Sequence, residues 1–179
     1  MVDSLLALLR KGNLRPTAKE IADEAGTSLR SVYVHFDDLE DLFCSASVRQ
    51  NESIVQLLVP IPDDGPFEER LQQFVQQRCE IWEATAPVRL AASLQEPFSP
   101  VLASILEGAR TLSTVDVQRV FATELHHTDP SQQAATTAAV DALVSGAAWD
   151  HWRTVLKLAD DDARAALFEA LRALLGGRR

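Results

Sequence analysis

The chain has 179 residues, of which 46% are hydrophobic, and it carries a formal net charge of −9. This composition is sufficient for a folded core and excludes a disordered chain, and no apolar run approaches the ~20 residues that cross a bilayer. Arg10 and Lys11 follow the first apolar residues instead of preceding them, which argues against a cleavable signal. We therefore expect a cytoplasmic protein with no membrane partner.

Two short helices are predicted after a first helix over residues 3–11. Thr17 can cap the first of the pair, and Gly26, which readily adopts the left-handed conformation, can end it. Thr27 or Ser28 can cap the second helix. The apolar positions are Ala18, Ile21, Ala22 and Ala25 in the first helix and Val32 and Phe36 in the second. Two helices joined by a turn of about three residues form a helix-turn-helix.

The second helix of this pair carries polar side chains on its outer side. Arg30, Tyr33 and His35 lie there with Leu29 at the edge, and residues 25–36 contain no acidic residue although the chain is acidic. An exposed helix with such hydrogen-bond donors suits a DNA groove. The alternative is that the two helices form only a packing unit, as many helical hairpins do.

Residues 12–42 resemble the N-terminal DNA-binding domain of the TetR family of bacterial transcriptional regulators. The matching residues are Gly12, Thr17, Ile21, Ala22, Ala25, Gly26, Ser28, Val32, Tyr33, His35, Phe36, Leu39 and Leu42. The resemblance implies an all-α protein with an N-terminal helix-turn-helix, three-helix DNA-binding domain over residues 1–45. A helical ligand-binding and dimerisation domain would follow over residues 46–179. The implied partners are double-stranded operator DNA and a small-molecule effector, and the predicted DNA-binding residues are Thr17, Thr27, Ser28, Leu29, Arg30, Tyr33 and His35.

The sequence departs from the family pattern in two places. Many members have a Lys at the start of the next helix, where it meets a phosphate. This chain instead has the acidic residues Asp37, Asp38, Glu40 and Asp41 there. The first helix is also shorter than usual and lacks the basic residues that often precede it. We therefore expect a smaller electrostatic contribution to DNA binding.

Six further helices are predicted from the positions of prolines, acidic helix starts and turn residues. Their ranges are 38–58, 67–85, 88–95, 99–125, 131–157 and 160–175, with no alternation typical of strands. The helix that begins at Asp38 would be about 30 Å long. We expect it to belong to both domains and to couple them, so that displacement of its far end, near residues 54–58, moves the DNA-reading helices.

The last two predicted helices have apolar surfaces suited to a homodimer interface. The helix from Ser131 is apolar on two sides, and such a helix is buried on two sides. The predicted interface residues are Val140, Leu143, Val144, Ala147, Leu167, Leu171 and Leu174. TetR-family members also typically dimerise through their last two long helices. The alternative is that both apolar sides are filled within one chain.

The middle helices are expected to enclose a small apolar or amphipathic effector. The predicted pocket residues are Phe74, Arg78, Trp82, Phe98, Leu102, Phe121 and Trp149. Arg78 shares the spacing of the apolar residues on its helix, so it either binds a ligand carboxylate or covers the core with its aliphatic stem. The alternative for the aromatic residues is an ordinary core.

The sequence contains no motif for catalysis, a metal or a cofactor. Cys44 and Cys79 lie on different predicted helices without metal-ligand spacing, so both are expected to be buried thiols. No nucleophile elbow, Walker loop or H-E-x-x-H motif occurs, which argues against an enzyme. The sequence thus predicts a homodimeric repressor that a ligand releases from a palindromic operator.

A second class of function stays open at this point. The acidic net charge also fits a helical homodimer that kept this scaffold as a protein-interaction module and lost specific DNA binding. DNA affinity that falls steeply as the salt concentration rises would distinguish the regulator from the interaction module.

Overall fold

The computed structural model describes residues 1–126 and 129–176, and these residues form ten α-helices and no β-strand. The helices are α1 (Val2–Arg10), α2 (Ala18–Glu24), α3 (Leu29–His35), α4 (Leu39–Val55), α5 (Phe67–Gln95), α6 (Pro100–Val120), α7 (Ala122–Leu125), α8 (Pro130–Leu143), α9 (Gly146–Asp150) and α10 (Asp160–Gly176). The predicted all-α fold is confirmed. In the part of the chain that the structure describes, no helix is both long and apolar enough to span a membrane.

The chain divides into two compact units, each with its own core. Unit 1 consists of Met1–Gln56 and Ala84–Ala109, and unit 2 consists of Leu57–Glu83 and Arg110–Arg179. This division differs from the boundary predicted after residue 45, because α4 is one continuous helix that lies entirely in unit 1. The helices that contribute residues to both units are α5 and α6, and not α4 as the sequence predicted.

The core of unit 1 fixes the helices that precede and follow α3. Its buried members are Leu5, Leu6, Leu9, Ile21, Leu42, Phe43, Ala46, Val88 and Ala91, which come from α1, α2, α4 and α5. Phe36 and Leu39, on either side of the link between α3 and α4, are partly buried against the same cluster. The position of α3 is therefore set by the packing of its neighbours.

The core of unit 2 is larger. Its buried members are Ile61, Leu71, Phe74, Val75, Cys79, Val117, Val120, Phe121, Leu125, Val140, Val144, Trp149, Ala163, Leu167, Leu171 and Leu175. α10 contributes one residue to this core at every fourth position, so one side of α10 is buried along its length.

α5 continues through Pro87, where the sequence predicted a break between helices 67–85 and 88–95. Proline has no N–H, so the carbonyl of Glu83 loses its helical donor, at a cost of about 3 kcal/mol. Packing on the far side of the proline offsets this cost, since Val88 and Ala91 are buried in the core of unit 1. The local breaking signal at Pro87 is thus overridden by tertiary contacts.

Two helices that were predicted as continuous are interrupted. The predicted helix 99–125 consists of α6 and α7, with Phe121 outside the helical conformation at φ −114° and ψ 27°. The predicted helix 131–157 consists of α8, α9 and a π-helical turn over His151–Val155. The Ser145 hydroxyl accepts a hydrogen bond from the Ala148 N–H at 3.1 Å and so caps α9. Ser145 is therefore a helix start that the sequence analysis missed.

The two cysteines are free thiols in different units. Cys79 is buried, as predicted, whereas Cys44 is only half-buried. Burial raises the pKa of the Cys79 thiol to about 12, and burial followed by the charge of Glu40 also raises the pKa of Cys44. Neither thiol is therefore activated as a nucleophile.

Candidate DNA-binding surface

α2 begins with reciprocal hydrogen bonds between Thr17 and Glu20. The Thr17 hydroxyl oxygen accepts from the Glu20 N–H at 3.2 Å, and Glu20 Oε2 accepts from the Thr17 N–H at 2.7 Å. This capping box confirms Thr17 as the helix cap. The hydrogen bond from the Thr17 N–H, followed by that from its hydroxyl, lowers the pKa of the Glu20 carboxyl. Ile21 and Ala22 are buried as predicted.

The turn between α2 and α3 has the predicted geometry. Gly26 adopts φ +63°, the left-handed conformation that glycine tolerates best. The Thr27 N–H donates to the Ala22 carbonyl at 2.9 Å, which closes the end of α2. The Ser28 hydroxyl accepts from the Ser31 N–H at 3.2 Å, so Ser28, rather than Thr27, caps α3.

α3 exposes most of its side chains. Val32 is 1% exposed and is the one buried residue among the seven of this fully described helix. Tyr33 is 54% exposed, and Leu29, Arg30 and His35 are exposed as well. The structure therefore places four of the predicted DNA-binding residues at the surface of a single short helix.

The predicted DNA-binding residues differ in the hydrogen-bond donors they have available. Thr17 Oγ1 donates its one proton to Glu20 Oε2 at 2.7 Å, so this hydroxyl cannot donate to a phosphate without breaking the capping box. The Ser28 hydroxyl only accepts a hydrogen bond among the described residues, which leaves its proton available. Ser28, Arg30 and Tyr33 can thus donate to DNA, whereas Thr17 has a structural task.

The acidic residues after α3 have a local structural role. Asp38 Oδ1 accepts from the Asp41 N–H at 2.9 Å and caps α4. Glu40 and Asp41 lie in the first turn of α4, where the helix dipole favours negative charge. These carboxylates begin a helix, and they leave α3 followed by negative charge.

The predicted pocket residues are divided between the two units. Phe98 and Leu102 belong to unit 1, whereas the other five residues belong to unit 2. Phe74, Phe121 and Trp149 are buried in the core of unit 2, where the ring centroids of Phe74 and Phe121 are 5.0 Å apart. These aromatic residues fill the core, the alternative that the sequence left open.

Arg78 has its charge partner within the chain. It is 6% exposed and donates to Asp116 Oδ2 at 3.0 Å and to Ser113 Oγ at 2.9 Å. Its guanidinium carbon lies 4.7 Å from the ring centroid of Phe74 and 5.8 Å from that of Trp82. Burial lowers the pKa of Arg78, and the charge of Asp116 opposes this shift. The guanidinium of Arg78 is thus paired with a carboxylate of the chain itself.

Four of the seven predicted interface residues are buried within one chain, and they are Val140, Val144, Leu167 and Leu171. All four belong to the core of unit 2, and a side chain buried in its own core offers little surface to a second copy. Leu143 and Leu174 are half-buried and Ala147 is exposed. The apolar sides of the last helices are therefore filled largely within one chain.

Two ionic contacts of unit 2 were not predicted from the sequence. Arg70, which is buried, donates to both carboxylate oxygens of Glu124, and the shorter of the two hydrogen bonds is 2.5 Å. Glu83 Oε1 accepts from Trp149 Nε1 at 2.9 Å and from Arg153 Nε at 2.8 Å. The partners are 54 to 70 positions apart in the sequence, so no local pattern could have indicated them.

Solved structures with a similar fold are transcriptional regulators. A regulator from Rhodococcus sp. Rha1 has a TM-score of 0.77 and 20% sequence identity, covering 98% of this chain and 94% of that chain. A TetR-family regulator from Streptomyces coelicolor has a TM-score of 0.74 and 17% identity, covering 97% of this chain and 77% of that chain. No family model matches the sequence, and no curated protein matches it. The chain therefore has a TetR-like fold.

Proposed function

We propose that this protein is a DNA-binding transcriptional regulator that binds a palindromic operator as a homodimer. It acts as a repressor in the cytoplasm, and a small apolar or amphipathic ligand releases it from DNA. The observation that carries this proposal is α3, which is capped at its start and buries only Val32. Its other side chains are exposed, apart from the half-buried Ser31. The likeness to solved regulators supports the same conclusion.

The distribution of charge supports a recognition role for α3. The chain has a net charge of −9, yet residues 25–36 contain Arg30 and no acidic residue. Arg30 can form two hydrogen bonds to a guanine edge, and the Ser28 and Tyr33 hydroxyls can donate to phosphates. With few basic residues available, non-specific affinity is expected to be low, so binding depends on the correct base sequence.

A homodimer would present two copies of α3 to two half-sites about 34 Å apart. The surface available for this assembly includes Ala147 and the exposed parts of Leu143 and Leu174, together with exposed alanines of α8. These alanines are Ala134, Ala135, Ala138 and Ala142. An interface of such small side chains would allow close approach of two helices, and it replaces the buried residues of the earlier prediction.

Selection of bound fragments from genomic and random DNA tests the proposed function. We expect enrichment of one inverted repeat, and binding to it should weaken steeply as salt rises. A duplex of the same length and composition with one half-site scrambled is the control, and it should bind much less tightly. If no sequence is enriched, the protein is an interaction module instead. Enrichment of an isolated half-site would contradict the dimer.

A further inference from the structure

We propose that a groove in unit 1 binds a small monoanionic amphipathic molecule, with its apolar chain against Phe43, Leu94 and Phe98 and its carboxylate on Arg15. This groove has a volume of about 550 Å³, within the usual range of small-molecule sites. This proposal rests on the proposed function: the bound molecule would be the effector, and its site would lie next to α2 and α3.

Unpartnered apolar surface lines the groove. Phe98 is 78% exposed and Leu94 is 39% exposed, although both are large apolar side chains. Phe98 is the last residue of the 3-10 turn Glu96–Phe98, and Pro97 and Pro100 lie close to it on either side. The fixed φ angles of these prolines restrict the backbone around Phe98. Phe43 and Leu102 line the same groove and are buried. An apolar chain would remove the exposed surface from water.

The polar side chains that line the groove favour a ligand with a single negative charge. Ser99 is buried, and its hydroxyl donates to Glu40 Oε1 at 2.5 Å and accepts from the Leu102 N–H at 3.0 Å. Arg15 has no ion-pair partner among residues 1–126 and 129–176, so its guanidinium is free to bind a carboxylate. Glu40 would repel a second anionic group. The fitting ligand is therefore a monocarboxylate with an apolar chain.

The groove reaches both ends of the helix-turn-helix. Thr17, which caps α2, is one of its lining residues, and Leu39 and Glu40 in the first turn of α4 are others. A ligand in contact with these residues touches the chain directly before α2 and directly after α3. Any ligand that prefers an altered arrangement of these helices weakens operator binding, and operator DNA weakens ligand binding by the same factor.

Decanoate is the probe for this site, and decanol is the uncharged control. Leucine-methyl NMR of the full chain should show shifts at Leu39, Leu94 and Leu102, and none at Leu167 or Leu171. Phe98→Ala should weaken decanoate binding about tenfold, because the ligand loses an apolar wall. Arg15→Ala should weaken decanoate binding about tenfold and leave decanol binding unchanged.

Matched variants separate the site from general effects. Leu112→Ala removes a side chain that is 72% exposed and does not line the groove, and Arg10→Ala removes an exposed arginine. Both should keep wild-type affinity for decanoate. Absence of binding up to about 1 mM decanoate, or affinity that is unchanged in Phe98→Ala, overturns the site. Shifts confined to leucines of unit 2 overturn it as well.

Operator affinity with and without decanoate is measured separately. Saturating decanoate should lower that affinity at least about tenfold. Decanoate binding in the groove without any effect on operator affinity overturns the effector role. If decanoate binds in the groove but no operator is found, the proposed function fails and the binding site stands.

Discussion

Helices α3 and α10 are held in place in different ways. α10 has 17 residues and buries Ala163, Leu167, Leu171 and Leu175, one at every fourth position. α3 has seven residues and buries only Val32. It depends on the Ser28 cap, on Gly26 before it and on the packing of α2 and α4.

The number of buried side chains therefore distinguishes a helix that packs into the core from one whose side chains are exposed for binding. The apolar periodicity of α10 specifies the helix, and the residues that form this periodicity are buried in the core. A single buried anchor with well-formed caps holds α3 in place and leaves Arg30, Tyr33 and His35 exposed. A short helix with one anchor and no acidic residue is accordingly a better candidate for recognition than a longer and more amphipathic one.

Leu171→Ala tests the core side of this comparison and should have the largest effect. Leu171 is fully buried, so the substitution should lower the free energy of unfolding by about 2–5 kcal/mol, as measured by urea denaturation. Leu112→Ala makes the same chemical change at a residue that is 72% exposed, and it should cost less than about 1 kcal/mol. Equal losses in the two variants would show that Leu171 does not serve the core as described.

Arg30→Ala tests the recognition side. Operator binding should weaken by about 1–3 kcal/mol if the guanidinium reads a guanine edge, and base preference at one position should relax. The free energy of unfolding should not change, because Arg30 is exposed. Arg10→Ala removes another exposed arginine and serves as the control in the same titration. If both variants lose the same affinity for every duplex, Arg30 contributes charge and reads no base.

Thr17→Ala tests whether α2 depends on its cap, and the expected effect is the smallest of the three. Loss of the capping box should lower the free energy of unfolding by about 1 kcal/mol. Thr27→Ala is the control, because the Thr27 side chain does not cap either helix and the substitution keeps its backbone N–H. A larger loss in Thr27→Ala than in Thr17→Ala would refute the assignment of the cap.

The same variant predicts a change in pH dependence. Hydrogen bonds from Thr17 lower the pKa of Glu20 in the folded state. The ionised carboxyl therefore stabilises the fold at neutral pH. This contribution is lost as the pH falls from the ordinary pKa of a glutamate through the lowered pKa of Glu20 in the folded state. In Thr17→Ala the pKa of Glu20, followed by carboxyl NMR, should move back towards its ordinary value.

The sequence was most informative where structure is local. Thr17, Gly26 and Val32 were assigned correctly because caps, left-handed turns and single anchors depend on residues a few positions apart. The break predicted at Pro87 was wrong because packing holds α5 together there. The helix start at Ser145 was missed because it lies inside an apolar run. Local signals thus located α3 and did not give the full length of every helix.

Partners distant in the sequence could not be predicted. For Arg78 the sequence left open a ligand carboxylate or an aliphatic stem that covers the core, and nothing in the pattern indicated Asp116, 38 positions away. Phe98 was predicted as an apolar wall of the same chamber as Phe74, and the fold assigns Phe98 to unit 1 and Phe74 to unit 2. The apolar residues that the sequence identified were largely correct as core, and their division between two units required the three-dimensional fold.

Pro87 has a consequence for how α5 opens. The hydrogen bond that would join residue 87 to the carbonyl of residue 83 is missing, and the helix is anchored separately on each side of that gap. On the N-terminal side of the gap, Glu83 accepts hydrogen bonds from Trp149 and Arg153. On the C-terminal side, Val88 is buried in the core of unit 1. Local opening that exposes amides to hydrogen exchange can therefore stop at the gap. We therefore expect the two parts of α5 to open separately, although they form one continuous helix.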